Sequence, residues 1–287
     1  MLIHNFLKKA QKEQWAIGQF NVSNLEAFKG IVQAAAKLKS PVIIGTSENE
    51  SRFLGLKQAV LLTRAFQEEF QLPLFLNLDH GRSFEYIEKA VKAGYSCVHF
   101  DGSALPLKKN IAVTKKIAAF CQRKKVLIEG EINFIKGSSE ILRRGPEIKE
   151  EELTKPADAL KFVEETGIDS LAVNIGTFHG MTAAKKNPEI YLQRLAEIRE
   201  KIKNKAFLVL HGGSGTPERD IKKAIKLGIV KININTELRA AYTKALKKEL
   251  GRKAGEIVPY KYLPTAVSAV QLVVEEKIKL FASQNRS

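Results

Sequence analysis

Along the chain, apolar runs of six to eight residues alternate with longer stretches whose apolar positions recur every three or four residues. The short runs stand at 15–20 (WAIGQF), 41–46 (PVIIGT), 73–78 (PLFLNL), 96–101 (SCVHFD), 126–131 (VLIEGE), 169–176 (DSLAVNIG), 206–212 (AFLVLHG) and 228–234 (GIVKINI). Most are near-continuous in Val, Ile and Leu, the pattern of a strand covered on both faces in a parallel sheet. The stretches between them, such as NLEAFKGIVQAAAKLK and FEYIEKAVKAG, carry the helical period. Several open on Ser, Asn or Thr and close on Gly, as capped helices do.

Eight strands alternating with helices over about 250 residues predict an α/β fold of the (β/α)8 TIM-barrel type. A doubly wound open sheet is the alternative, but no GxGxxG follows the first strand. No Pro/Gly/Ser linker divides the sequence, so residues 1–287 read as a single domain. Near the end, VSAVQLVVEEKIKLFAS forms an amphipathic closing helix, a C-terminal helical extension of the barrel. The longest irregular piece, NFIKGSSEILRRGPEIKEEELTKP, follows the fifth strand. Residues 132–156 are therefore expected to form a mobile active-site loop, with a plain surface excursion as the alternative.

Composition narrows the setting. With 44% hydrophobic and 27% charged residues, the chain has the make-up of a folded soluble protein. Its two cysteines, Cys97 and Cys121, lie in apolar segments and give neither a disulfide framework nor a Cys-rich metal site. The first residues lack a signal-peptide pattern and no apolar run reaches membrane length, so a cytoplasmic protein without a membrane partner is expected. The net charge of +16 is spread over helix-like segments such as KKAIKLG and KKELGRKAG. No aromatic-interleaved basic stripe or nucleic-acid motif accompanies it, which argues against a specific nucleic-acid partner. A basic surface of this kind still attracts anionic metabolites.

Candidate chemistry collects at strand ends. His80 closes the third run (LNLDHG), His179 follows the sixth (NIGTFHG) and His211 closes the seventh (LVLHGGSG). In a barrel all three lie on the C-terminal face, where this fold builds its active sites. Three imidazoles on one ion leave an open position, the arrangement of catalytic zinc. His4 is expected near the surface, and His99 to pack or to support a ligand rather than bind the metal itself. Gly212, Gly213 and Gly215 let backbone N–H groups approach an anion, with Ser214 adding a hydroxyl. Asn233, Asn235 and Thr236 end the eighth strand, where barrels recurrently hold phosphate. Asp79 precedes His80, and strand alternation turns the two side chains differently. Asp101 and Glu131 end the fourth and fifth strands, suited to orienting a ligand imidazole or offering an alternative metal position. Salt bridging in the barrel mouth is the other reading of both.

Taken together, FNVSNLEAFKGIVQAAAKLKSPVII, LDHG, DGSALPLKKN, EGE, TGIDSLAVNIGTFHG, LHGGSG and KININTELR span most of the chain. In these motifs the sequence resembles the class II, metal-dependent ketose-bisphosphate aldolases, which include fructose- and tagatose-bisphosphate aldolases. The resemblance implies a catalytic Zn2+ on His80, His179 and His211, with Co2+ or Mn2+ as substitutes and a monovalent cation as a further cofactor. Asp79 matches the acid/base residue at the C4 hydroxyl. Gly180, Gly212, Gly213 and Ser214, with Asn233, Asn235 and Thr236, match the region holding the dihydroxyacetone phosphate end. Asn233 also matches a residue steadying the enediolate, and Ser47 a substrate-contacting serine. A homodimer or dimer-based tetramer is implied.

Two positions depart from the family pattern. Where the loop after strand five usually reads GGxED, this chain has IKGSSEI. The proton-shuttling glutamate position falls on Ser139, and Glu140 one residue later is expected to serve. Where many members carry DPRxYL, this chain has VPYKYL, placing Tyr260 at the arginine and Lys261 beside it. Lys261 holds phosphate as a point charge without the bidentate fork. The expected activity is reversible cleavage of fructose 1,6-bisphosphate into dihydroxyacetone phosphate and glyceraldehyde 3-phosphate. Tagatose 1,6-bisphosphate or another phosphorylated ketose is one alternative. A catalytically lapsed basic barrel binding polyanions or RNA is the other.

Overall fold

All eight apolar runs become strands of one closed sheet in the computed structural model, which describes residues 2–183 and 187–287. In chain order the strands are β1 (Ile17–Asn21), β2 (Val42–Ser47), β3 (Leu74–Gly81), β4 (Cys97–Phe100) and β5 (Leu127–Glu131). They continue with β6 (Gly137–Leu142), β7 (Ser170–Ala172), β8 (His179–Thr182), β9 (Phe207–Leu210) and β10 (Ile229–Ile234). The barrel runs β1-β10-β9-β7-β5-β4-β3-β2 with every pair parallel, and β6 and β8 pair separately as a small two-stranded sheet. This is a (β/α)8 TIM barrel.

Local chemistry sets the helix starts. Asn24 accepts the Ala27 N–H at 3.1 Å to open the helix Leu25–Leu38, and Ser83 accepts the Tyr86 N–H at 3.2 Å to open Phe84–Ala93. A cap of this kind contributes about 1 kcal/mol. The closing helix, Pro259–Leu280, lies against Leu25–Leu38 and against Thr236–Arg252. Gly30 permits that approach, since a Cβ there would stand 2.7 Å from the Val267 carbonyl oxygen. Among the described residues no helix is long and apolar enough to cross a membrane.

The barrel interior is layered. Its floor is apolar, built from Ile17, Ile43, Phe75, Cys97, Leu127, Phe207 and Val230, and is sealed by Ile3, Leu7, Ala10 and Trp15 from the N-terminal helix. Further along the strands the interior turns polar, with Gln19, Asn77, Glu129 and Lys231 all buried. Above these stand Asn21, Asp79, Glu131, His211 and Asn233, at the C-terminal rim.

Residues 132–156 differ from the irregular stretch read in the sequence. They contain β6, which pairs with β8 from the following βα connection, and a single 3-10 turn at Glu150–Glu152. The polar composition of GSSEIL hides a strand that is held by backbone hydrogen bonds and largely exposed on its surface.

Candidate active site

At the end of β3, regular alternation would put Asp79 and His80 on opposite faces. Instead the β3–β4 register shifts between Leu78 and Gly81, and His80 takes the left-handed conformation with φ +51°. That conformation is costly for a residue with a Cβ. The His80 N–H is captured by His99 Nδ1 at 3.1 Å. The irregularity lets both side chains line one cavity of about 370 Å³ at the barrel mouth.

Each of the three strand-end histidines has one ring nitrogen committed to an acceptor. His80 Nδ1 donates to Asp101 Oδ2 at 2.9 Å, His211 Nε2 to Glu129 Oε1 at 2.7 Å, and His179 Nδ1 to the Ile135 carbonyl at 3.2 Å. These tautomers follow from the acceptors. Burial opposes the Asp101 and Glu129 charges, but the histidines beside them, and Lys231 beside Glu129, hold both well below the usual carboxylate range. Ionised carboxylates only accept.

The opposite nitrogens then carry their lone pairs, with the Asn233 amide 3.5 Å from His211 Nδ1. His80 Nε2 and His211 Nδ1 face each other at 3.2 Å, and His179 Nε2 is buried without a partner. Two lone pairs at that distance repel unless a cation lies between them. Burial, with His80 and His211 nearby, pushes the His179 pKa down to about 4, leaving the neutral imidazole that metals bind. The ring centroids of His179 and His80 are 4.8 Å apart, and those of His179 and His211 5.9 Å. The donor set fits a transition-metal ion rather than Mg2+ or Ca2+.

The ligand atoms of Asp79, His80, His99 and His211 all lie within 4.8 Å of one another, as do those of His80, Asp101 and Glu131. His99 is fully buried, with Nε2 3.3 Å from Glu131 Oε2 and Nδ1 on the His80 backbone, in keeping with a supporting role. Asp79 accepts from Asn21 Nδ2 at 2.9 Å and from Asn233 Nδ2 at 3.1 Å. Burial alone would raise its pKa, but His80, His99 and His211 prevail and hold it well below the ordinary carboxylate value.

Beside the histidines runs a wall with little side chain. Gly212 has φ +66°, and a Cβ on it would stand 2.4 Å from the Phe178 carbonyl oxygen, so only glycine fits. Gly180, Gly212, Ser214, Asn233, Asn235 and Thr236 line the cavity, whereas Gly213 lies behind them with its N–H on the Asn233 carbonyl. Thr236 opens a 17-residue helix whose N-terminal end favours an anion. Ser47 also lines the cavity and caps the helix Glu48–Leu54 in a capping box with Glu50.

Two expected residues stand elsewhere. Gly137, Ser138 and Ser139 line the cavity, but Glu140 does not and is exposed on β6. Lys261 is exposed, pairs with Glu256 at 3.1 Å and does not line the cavity of its own chain; Tyr260 is likewise exposed. The cavity instead receives Arg82 and Arg239, which the sequence reading passed over. Arg239 Nη2 donates to Glu50 Oε1 at 2.5 Å. Asn21, Glu129 and Lys231 were missed as well. Their signal was a polar residue at every second position of a strand otherwise read as buried, as in IEGE and KIN.

A model of the family described as "Fructose-bisphosphate aldolase class-II" matches residues 2–286. The Bacillus subtilis protein named "Probable fructose-bisphosphate aldolase" is 38% identical over 285 residues, covering 98% of this chain and 97% of that protein. Among solved structures, the YdjI aldolase from Escherichia coli K12 is 31% identical with a TM-score of 0.84, covering 100% of this chain and 99% of that one. A fructose-bisphosphate aldolase from Campylobacter jejuni, 20% identical with a TM-score of 0.85, covers 99% and 95% respectively and shares the fold. The whole-chain match, over the same motifs that build the cavity, makes this protein a member of the class II fructose-bisphosphate aldolase family.

Proposed function

We propose that the chain is a zinc-dependent aldolase that cleaves fructose 1,6-bisphosphate reversibly between C3 and C4. The observation that carries this reading is the convergence of three imidazole lone pairs beside Asp79, next to a glycine-walled pocket in the same cavity. A zinc ion held by His80, His179 and His211 would supply Lewis-acid stabilisation of the negative charge left on the ketose-derived fragment.

The chain's own groups divide the remaining work. Asp79, kept ionised and oriented by Asn21 and Asn233, takes the C4 hydroxyl proton as the bond breaks and returns it in condensation. Asn233 Oδ1 is buried without a partner and is free to accept from a substrate hydroxyl. Gly180, Gly212, Ser214, Asn235 and Thr236 hold the phosphate of the dihydroxyacetone end, and Ser47 contacts the substrate from the opposite wall. Glu140 reaches C3 as a proton carrier only if β6 turns over, which brings it to the face where Ser139 now stands. Lys261 serves a far phosphate only on a neighbouring copy of the chain, in a homodimer. Within one chain that phosphate falls to Arg82 and Arg239.

The function is tested by measuring triose phosphate release from fructose 1,6-bisphosphate and tagatose 1,6-bisphosphate, before and after EDTA and after zinc restoration. Cleavage of the fructose substrate with the higher kcat/KM, lost to EDTA and regained with zinc, is the expected result. Preference for the tagatose substrate would reassign the sugar. No cleavage of either by metal-loaded protein would overturn the reading.

Arg239→Ala is expected to lower kcat/KM for the bisphosphate roughly ten- to a hundredfold, the range for losing a hydrogen bond to a charged group. Fructose 1-phosphate, which lacks the far phosphate, should change little. Equal losses on both substrates would remove Arg239 from the far-phosphate site.

A further inference from the structure

Inside the barrel, below the cavity, one ion pair serves no step described so far. Glu129 on β5 and Lys231 on β10 are buried, with Lys231 Nζ donating to Glu129 Oε2 at 2.6 Å. The other carboxylate oxygen, Oε1, receives His211 Nε2–H at 2.7 Å. Between β5 and β9 lies β7, whose residues in register with Glu129 and Glu131 are the small Ser170 and Ala172. They leave room for Glu129 to reach across to His211.

Holding two charges in a barrel interior costs several kcal/mol of desolvation, and apolar residues of similar volume often do as well for stability. The floor immediately below shows the apolar solution in use. Stability therefore does not account for the pair. Its directionality does, because each carboxylate oxygen has a single dedicated partner.

We propose that the Glu129–Lys231 pair is the positioning element of His211. Lys231 anchors one carboxylate oxygen, so the other must present itself to His211 Nε2. That fixes the proton on Nε2 and turns the Nδ1 lone pair toward His80 Nε2, 3.2 Å away. His80 is oriented independently by Asp101, and His179 by a main-chain carbonyl. The Glu129–Lys231 pair is thus the device by which this chain presents one of its three ligands in the metal-binding tautomer. The proposal rests on the metal reading of the three histidines.

The test compares wild type with Lys231→Met and with the double variant Glu129→Gln/Lys231→Met, which removes both charges and leaves neither unpaired. Zinc affinity is read by competition with a chromophoric chelator, and ligand geometry by the d–d absorption of the cobalt-substituted protein. The double variant is expected to keep the thermal stability of the metal-free wild type. It should bind zinc ten- to a hundredfold more weakly, the usual cost of losing an outer partner, and its cobalt spectrum should change. A double variant with wild-type zinc affinity and an unchanged cobalt spectrum overturns the proposal alone. A wild type that takes up no zinc overturns the metal reading and this proposal with it. Nitrogen-15 histidine NMR of the wild type gives a check that needs no variant: His211 should carry its proton on Nε2 with and without zinc, and an Nδ1–H tautomer would refute the assignment.

Discussion

Changing His211 to alanine is expected to abolish metal retention and aldol cleavage together. The imidazole sits between Glu129 and His80, so on the proposed ligand set its removal takes away one nitrogen donor and leaves His80 Nε2 without a counterpart. Loss of a direct ligand should weaken zinc by more than the ten- to hundredfold cost of an outer partner. Turnover at assay concentrations of metal should fall to background. The barrel should survive, because the apolar floor that closes it lies four residues further down the same strand, at Phe207. The Glu129 oxygen left without its donor should cost about 1–3 kcal/mol of stability, offset in part by Lys231. Metal content after dialysis, circular dichroism and cleavage rate on one preparation separate these effects.

The same experiment at His179 and His99 discriminates between two ligand sets. One cluster of four donor atoms contains His99 and omits His179. Both His179 Nε2 and His99 Nε2 are buried without a hydrogen-bond partner, but His99 Nε2 faces Glu131 Oε2 at 3.3 Å and its Nδ1 already receives the His80 N–H. His179→Ala should therefore release the metal and His99→Ala should retain it. The opposite pattern would move the ion deeper, onto Asp79, His80, His99 and His211.

The scaffold was legible because barrel strands are covered on both faces at the floor and by helices outside. Continuous apolar runs such as PVIIGT and AFLVLHG therefore marked β2 and β9 with little ambiguity. That His80, His179 and His211 meet was legible because strand order alone carries their positions to one rim. β6 was not, since GSSEIL buries almost nothing and its pairing with β8 is set by the path of the chain. Lys231 and Glu129 were overlooked for a related reason. Each sits in a run between apolar or small neighbours, and a charged residue inside the barrel gains meaning only once the opposite strand is known. Arg82 lies on the connection after β3, where side-chain direction has no period to read, and Arg239 lies in the first turn of the helix Thr236–Arg252, whose polar face meets the cavity only once the helix is docked on the barrel. Asp79 and His80 show the limit most sharply. Alternation separated them, and a register shift with a left-handed residue brought both into one cavity.

That juxtaposition gives the second large effect. Asp79→Asn should keep the metal and lose turnover, with kcat falling by roughly 10²–10⁴, the range for removing a general acid–base group. The substitution is nearly isosteric, and the imidazoles of His80, His179 and His211 are untouched by it. It is not silent structurally, because Asn21 Nδ2 and Asn233 Nδ2 donate to different oxygens of Asp79. An amide offers an acceptor to only one of them and a donor to the other, at a cost of about 1–3 kcal/mol. Zinc content near wild type, with a moderate fall in thermal stability and a kcat reduced by orders of magnitude, is the combined signature. A variant that loses zinc would make Asp79 part of the metal's own environment, consistent with the deeper donor cluster. A variant that turns over within a few-fold of wild type would mean that the C4 proton leaves by another group. Of the carboxylates lining the cavity, Asp101 and Glu131 would then be the groups to mutate next. Asp101 is already committed to His80, which leaves Glu131 as the stronger candidate.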